Sequence, residues 1–112
     1  MKKLLITLGL LIGSSQFATS QNQVQINLYD GLCLDEITFE YLGGGTEVQA
    51  LGCSGSFLFD IGTAELLGFT INGVFCQVNT NTEVIVNGGL KAKSKVVNVG
   101  NTIVDDLNGL IR

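Results

Sequence analysis

The segment from Leu67 to Val78 restricts the fold most strongly, because its pattern is that of a β-hairpin. Apolar and polar residues alternate on both sides of the dipeptide Asn72-Gly73. A two-residue type I′ turn needs positive φ angles, which Asn and Gly adopt at the lowest cost. The segment therefore predicts an antiparallel hairpin with one apolar face. The apolar cross-strand pairs would be Ile71 with Val74, Phe69 with Cys76, and Leu67 with Val78.

Further alternating segments, separated by turns that contain glycine, extend this pattern over most of the chain. The predicted strands are residues 23–29 and 32–42, joined by a turn at Asp30-Gly31, and then 46–51, 56–61, 83–86 and 90–99. A three-residue loop at 87–89 aligns Glu83 with Lys93 across the last hairpin. Fifteen glycines and no proline suit strands joined by tight turns. We therefore expect an all-β fold, either a small antiparallel sandwich or a partly open barrel, of about seven or eight strands.

Two segments depart from the strand pattern. Residues 63–67 fit either one helical turn capped by Thr63 or an extension of the central hairpin. In the tail, apolar residues recur at helical spacing after Thr102, and Asp105 stands where a capping box has its acidic residue. The tail therefore predicts a short C-terminal amphipathic helix that packs on the sheet or docks on a partner. Its apolar residues are Ile103, Val104, Leu107, Leu110 and Ile111.

The N-terminal residues resemble a secretory signal in composition. Lys2 and Lys3 precede an apolar run over residues 4–12, and residues 13–20 are mostly small or polar. We expect a signal peptide at residues 1–20 and one domain at 21–112. The apolar run is much shorter than the roughly 20 residues that span a bilayer, so no membrane span is expected. The predicted location is secreted or extracellular, or periplasmic for a bacterial source.

The charge distribution argues against nucleic-acid partners. Residues 21–112 contain four cations and ten anions, a net charge of −6, and such a field repels phosphate backbones. Lys91, Lys93 and Lys95 are the exception, because they alternate and project from one side of one strand. Lysines of this kind are typical of a protected edge strand. The alternative is a small anion-binding stripe for a sulfated glycan or a lipid headgroup.

The three cysteines, Cys33, Cys53 and Cys76, predict one disulfide in an exported chain. All three pairings are open. The remaining cysteine would be buried or would link two chains as a homodimer. The alternative is three buried thiols that act as small apolar side chains.

The absence of histidine removes the imidazole base of common nucleophilic sites and, with only three cysteines, the usual zinc sites. Carboxylates are then the main candidates for catalysis. Asp35 and Glu36 are adjacent, so on a strand they would point to opposite faces and could not share a site. We therefore predict no enzymatic activity, no cofactor and no metal.

The resulting expectation is a secreted, non-catalytic binding or structural module that acts through its surface on a protein or glycan partner. One alternative is a secreted effector, such as a defence protein, a toxin or an inhibitor. Another is a carrier of a small apolar ligand. A carrier would need an open interior pocket, and its expected lining is Phe57, Phe59, Phe69 and Val74.

Overall fold

The computed structural model describes residues 22–109, which form nine β-strands. The strands are β1 (Asn22–Cys33), β2 (Glu36–Tyr41), β3 (Thr46–Ala50), β4 (Cys53–Gly62), β5 (Leu66–Ile71), β6 (Val74–Gln77), β7 (Thr80–Ile85), β8 (Lys91–Val99) and β9 (Thr102–Gly109). Within this range the only helical element is a short 3-10 turn at Asn87–Gly89. The predicted all-β class is confirmed. None of the described elements is a helix long and apolar enough to cross a bilayer.

The strands form two sheets that resemble a β-sandwich. One sheet has the order β4-β1-β9-β8-β7 and the other has the order β3-β2-β5-β6. Neighbouring strands are antiparallel except β1 and β9, which run parallel. The expectation of an entirely antiparallel fold is therefore wrong at this pair. It fails because β1 and β9, the first and last of the nine described strands, lie side by side in the same direction.

The two hairpins with the clearest turn signals form in the predicted register. In the central hairpin, Ile71 pairs with Val74 and Phe69 pairs with Cys76. Asn72 has a φ of 47° and Gly73 a φ of 85°, as a type I′ turn requires. Between β7 and β8, Glu83 lies opposite Lys93 as predicted.

The turn predicted at Asp30-Gly31 is absent. β1 continues through both residues to Cys33 and pairs with β4 instead of β2. The register shifts between Leu28 and Cys33, and Gly31 has a φ of 87°. A glycine with positive φ serves a β-bulge as well as a hairpin turn, so the chain bends here without reversing. A similar error concerns Ser54-Gly55, which the sequence pattern placed in a turn between the predicted strands 46–51 and 56–61. Both residues lie inside β4, and the chain again bends without reversing.

The predicted C-terminal helix is also wrong, because Thr102–Gly109 forms strand β9. β9 pairs with a strand on each side, β1 and β8, and these ladders outweigh a weak local helical preference. Leu110 and Ile111 lie outside the described residues, as does the predicted signal peptide at 1–20. Residues 63–67 form no helix, and Leu66 begins β5, which agrees with the hairpin alternative.

The core lies between the sheets and is centred on the ring of Phe39. This ring packs edge-on against Phe69 at 5.3 Å and against Phe59 at 5.4 Å, measured between ring centroids. Phe59 belongs to the five-stranded sheet, so these contacts join the two layers. The carrier alternative required open space among these rings, and their close packing counts against it.

The disulfide joins Cys33 to Cys53, which lie opposite each other on β1 and β4. Cys76 is the remaining cysteine and is 0% exposed. The prediction of one bridge and one remaining cysteine is confirmed, and the alternative of three free thiols is wrong.

Loss of this disulfide is expected to lower the free energy of unfolding by about 3 kcal/mol. The bridge joins residues 20 positions apart, and closing a loop of that length restricts the unfolded chain. Urea unfolding of the double variant Cys33→Ala/Cys53→Ala measures the loss. Adding a reductant should destabilise the wild type to the same level and leave the double variant unchanged. Equal midpoints for reduced and oxidised wild type would contradict this expectation.

Candidate functional site

The outer surface of the five-stranded sheet carries polar side chains that hydrogen-bond to one another, and we call it the polar face. On β1 the apolar residues Val24, Ile26 and Leu28 point into the core. The alternation of the strand therefore sends the intervening side chains outward. The side chains of the polar face include those of Gln23, Gln25, Asn27, Tyr29, Ser56, Asp60, Lys91, Lys93, Lys95 and Asp106.

Asn27 is the centre of a hydrogen-bond network across three strands of the polar face. Its Oδ1 accepts hydrogen bonds from Gln25 Nε2 at 3.0 Å and from Ser56 Oγ at 2.7 Å. Its Nδ2 donates to Asp106 Oδ1 at 2.5 Å. These bonds link β4, β1 and β9 and fix the orientation of the amides. The polar side chains are therefore held in place before any ligand arrives.

A hollow of about 320 Å³ lies on this face between β1 and β4. We call it the Tyr29 hollow. Tyr29 is 48% exposed at its border. The opposite border contains Gly55, whose φ of 129° is rarely adopted by other residues. The hollow thus combines an aromatic ring with amide and hydroxyl groups. Its lining is Gln25, Asn27, Leu28, Tyr29, Gly55 and Ser56.

The predicted lysine stripe lies on β8, and the side chains of Lys91, Lys93 and Lys95 are exposed. β8 lies between β7 and β9, so its interpretation as an edge strand is wrong. The error arises because β9 was predicted to be helical. Glu83 lies opposite Lys93, and Asp106 lies opposite Lys95. These carboxylates weaken the positive field of the stripe, and its binding of anions stays a prediction.

A second polar group lies inside the sandwich. Asp105 and Ser94 are both fully buried, and Ser94 Oγ donates a hydrogen bond to Asp105 Oδ1 at 2.6 Å. Asp105 Oδ2 is buried without a hydrogen-bond partner among the described residues. Burial raises the pKa of Asp105 to about 7, the bond from Ser94 opposes this shift, and the charge of Asp106 adds to it. A buried carboxyl group is thereby kept protonated in acidic solution.

The sequence interpretation missed this interior group because it placed Asp105 at the start of a helix. Read as a strand, the tail alternates Ile103, Asp105 and Leu107 on one face. An ionisable residue on an otherwise apolar face was the signal that could have identified the group.

Cys76 lies close to the same group. Burial raises the pKa of its thiol, hydrogen bonds with Ser94 and Thr82 lower it, and the charge of Asp105 raises it. The sulfur donates a weak hydrogen bond to the carbonyl oxygen of Val74 at 3.9 Å. A homodimer linked through Cys76 stays a prediction, and the burial of this residue counts against it.

The carboxylates considered for catalysis lie elsewhere. Asp35 and Glu36 are exposed where β2 begins. Both border a hollow of about 340 Å³ that also touches Asn72 and Asn87. The sequence predicts that these two neighbours point to opposite faces of a strand and cannot share a site. That rule does not apply here, because Asp35 lies in the connection before β2. Among residues 22–109, no three cysteine or carboxylate side chains come together as potential metal ligands.

Comparison of this chain with protein-family models, with curated proteins and with solved structures gave no match.

Proposed function

We propose that this chain is an exported, non-catalytic binding module whose polar face recognises a neutral glycan at the Tyr29 hollow. The observation that supports this proposal is the lining of the hollow, where one exposed aromatic ring stands beside oriented amide and hydroxyl groups.

The chemistry of the hollow suits a sugar. Sugar hydroxyls both donate and accept hydrogen bonds, and the side chains of Gln25, Asn27 and Ser56 can do the same. The C–H groups of a pyranose form a flat apolar patch that packs on an aromatic face such as that of Tyr29. Because the amides are already ordered by the network around Asn27, binding would lose little side-chain entropy.

The charges favour a neutral ligand. Asp106 accepts a hydrogen bond from Asn27, and Asp60 accepts one from Gln23 at 3.1 Å. The lysines of β8 lie on the far side of β9 from the hollow. The charges nearest to the hollow are therefore carboxylates, and its lining contains no cation, so an anionic glycan would be repelled and a neutral one is favoured.

The disulfide supports the exported location in this proposal. Disulfides persist in oxidising compartments and are rare in the cytosol. The bridge between Cys33 and Cys53 is therefore compatible with a domain at residues 21–112 that acts outside the cytosol after loss of a signal peptide at 1–20.

Titration with methyl glycosides of glucose, galactose, mannose and N-acetylglucosamine, and with their short oligomers, tests this function. The chain contains two tyrosines and no tryptophan. In a Tyr41→Phe background, Tyr29 is therefore the only strong fluorophore. Binding at the hollow should change its emission in a saturable way. Isothermal titration calorimetry gives the affinity independently.

Tyr29→Ala is expected to weaken glycan binding by about tenfold or more, because it removes the stacking surface. Tyr29→Phe should retain most of the affinity. The matched control is Phe75→Ala, since Phe75 is 47% exposed but lies on the other sheet, and this change should leave the affinity unaltered. The proposal is wrong if no glycan of the panel binds or if Tyr29→Ala and Phe75→Ala have equal effects.

A further inference from the structure

Strand β4 differs from the other three edge strands of the sandwich. It has 10 residues, whereas β3 has five, β6 has four and β7 has six. Among residues 22–109, β4 pairs with a strand on one side only, which is β1. In an antiparallel strand, alternate residues direct their N–H and C=O groups to opposite sides. A long row of backbone donors and acceptors is therefore available along the free side of β4.

The free edge of β4 also lacks most of the features that prevent strands from pairing. It contains no lysine and no proline, and Asp60 is its only charged residue. Leu58 at its centre is 61% exposed and stands between two phenylalanines. An apolar edge with a single charge is a template for another strand. Bulges interrupt it near its start, where Ser54 and Gly55 have positive φ angles, and near its end, where the register shifts between Asp60 and Gly62. The central residues from Ser56 to Asp60 pair regularly with β1.

We propose that β4 pairs with β4 of a second copy of this chain, antiparallel and about a two-fold axis at Leu58. The centre of the strand has the order Ser56, Phe57, Leu58, Phe59, Asp60, which is polar, aromatic, aliphatic, aromatic, polar. A two-fold interface must be complementary to itself, and this order is symmetric about Leu58.

The charges agree with this register. The two-fold axis places Leu58 opposite the same residue of the second copy and Phe57 opposite its Phe59. Asp60 then faces Ser56 of the second copy, so no like charges meet and a hydroxyl faces each carboxylate. Cross-strand pairs of this kind stabilise antiparallel sheets. The two five-stranded sheets become one continuous sheet.

The arrangement has a consequence for binding, which rests on the proposed function. Antiparallel pairing keeps the outer surfaces of both sheets on one side, so the two Tyr29 hollows face the same way. A glycan with repeated units can then bind both hollows and gain avidity. The pairing of β4 does not depend on this consequence and is tested without a sugar.

Sedimentation equilibrium of the exported chain should show a mass that doubles as the concentration rises. Leu58→Lys places two like charges at the axis and should weaken the dimer by about tenfold or more. Val99→Lys is the matched control, because Val99 is 62% exposed but lies on β8, which two strands separate from β4. It should leave the dimer intact. A monomer at every concentration, or a dimer that persists in Leu58→Lys, overturns the proposal.

A second variant tests the register directly. In Leu58→Cys, the two introduced thiols would have Cβ atoms about 4.5–5.5 Å apart. Air oxidation, which removes two protons and two electrons, should then join them in a covalent dimer. Val99→Cys should give none under the same conditions. Equal yields of covalent dimer from both variants, or none from Leu58→Cys, would overturn the pairing.

Discussion

Raising the pH from about 4 to about 8 is expected to lower the free energy of unfolding by about 4 kcal/mol through Asp105 alone. The pKa of this carboxyl group is about 7 in the folded protein, against an ordinary value of 3.8. The folded state therefore holds the proton more tightly than the unfolded state does. The stabilisation is fully present below the ordinary pKa and declines as the pH rises. Above the folded pKa it is lost.

The physical cause is the position of Asp105 between the sheets. Ser94 on β8 donates one hydrogen bond to the carboxyl group. Cys76 on β6 lies nearby, but burial raises the pKa of its thiol, so it is uncharged and supplies no compensating charge. The charge of Asp106 further disfavours the ionised form of Asp105. Among the described residues, no cation is a cause of the shift in the pKa of Asp105, so none compensates for the burial of its negative charge.

Asp105→Asn isolates this contribution, because asparagine keeps the shape and an acceptor oxygen for Ser94 but does not titrate. We expect urea unfolding across this pH range to show that the free energy of unfolding of the variant rises relative to that of the wild type. Between the two pKa values the rise should be up to about 1.4 kcal/mol per pH unit. The gain should level off at higher pH. Glu83→Gln removes an exposed charge on the same sheet and serves as the control. Parallel pH profiles for the wild type and Asp105→Asn would contradict the assignment.

The sequence predicts the parts of the fold that depend on local turn chemistry. Asn72-Gly73 specifies a two-residue reversal, and the loop at 87–89 specifies a three-residue one. In each hairpin the strands are neighbours in the chain, so the turn alone sets the register. The register of both hairpins was predicted correctly for this reason.

The sequence does not reveal pairings between distant segments. Asp30-Gly31 has the same turn signal as a hairpin, but β1 pairs with β4, which begins at Cys53. The choice between a bulge and a turn depends on the partner strand, which the dipeptide does not encode. The parallel pair of β1 and β9 joins residues about 80 positions apart, such as Gln23 and Thr102. The local pattern of the tail favours a helix because it contains no information about that partner.

In the candidate site, too, the features that one strand determines could be predicted, and those that depend on a distant strand could not. Alternation along β1 predicts that Gln23, Gln25 and Asn27 share an outward face. The hollow beside Tyr29 also requires Ser56 on β4. The sequence of β1 does not indicate that β4 is its neighbour, so the hollow could not be predicted. The lysines of β8 were correctly placed on one side of one strand. Their position inside the sheet depends on β9 and could not be predicted without it.

Phe39→Ala is expected to lower the free energy of unfolding by about 3–5 kcal/mol, which is the usual range for removing a fully buried phenylalanine. The Phe39 ring contacts Phe59, Phe69 and Tyr41 edge-on, and its loss leaves a cavity between the sheets. Domains of this size are stable by roughly 5–15 kcal/mol, so much of the stability would disappear. Phe75→Ala removes the same atoms from an outer face and should cost less than about 1 kcal/mol. Similar urea midpoints for the two variants would contradict the two-layer interpretation.

A double-mutant cycle decides whether Phe39 joins the two sheets or only fills its own. Phe39 belongs to β2 in the four-stranded sheet and Phe59 to β4 in the five-stranded sheet, with ring centroids 5.4 Å apart. The pair should show a coupling energy of about 0.5–1.5 kcal/mol beyond the two single losses. Phe39 and Phe75 make no ring contact within the described residues and should be additive. Because a single sheet would give no coupling between Phe39 and Phe59, additive losses there would mean that the layers are not packed together as described.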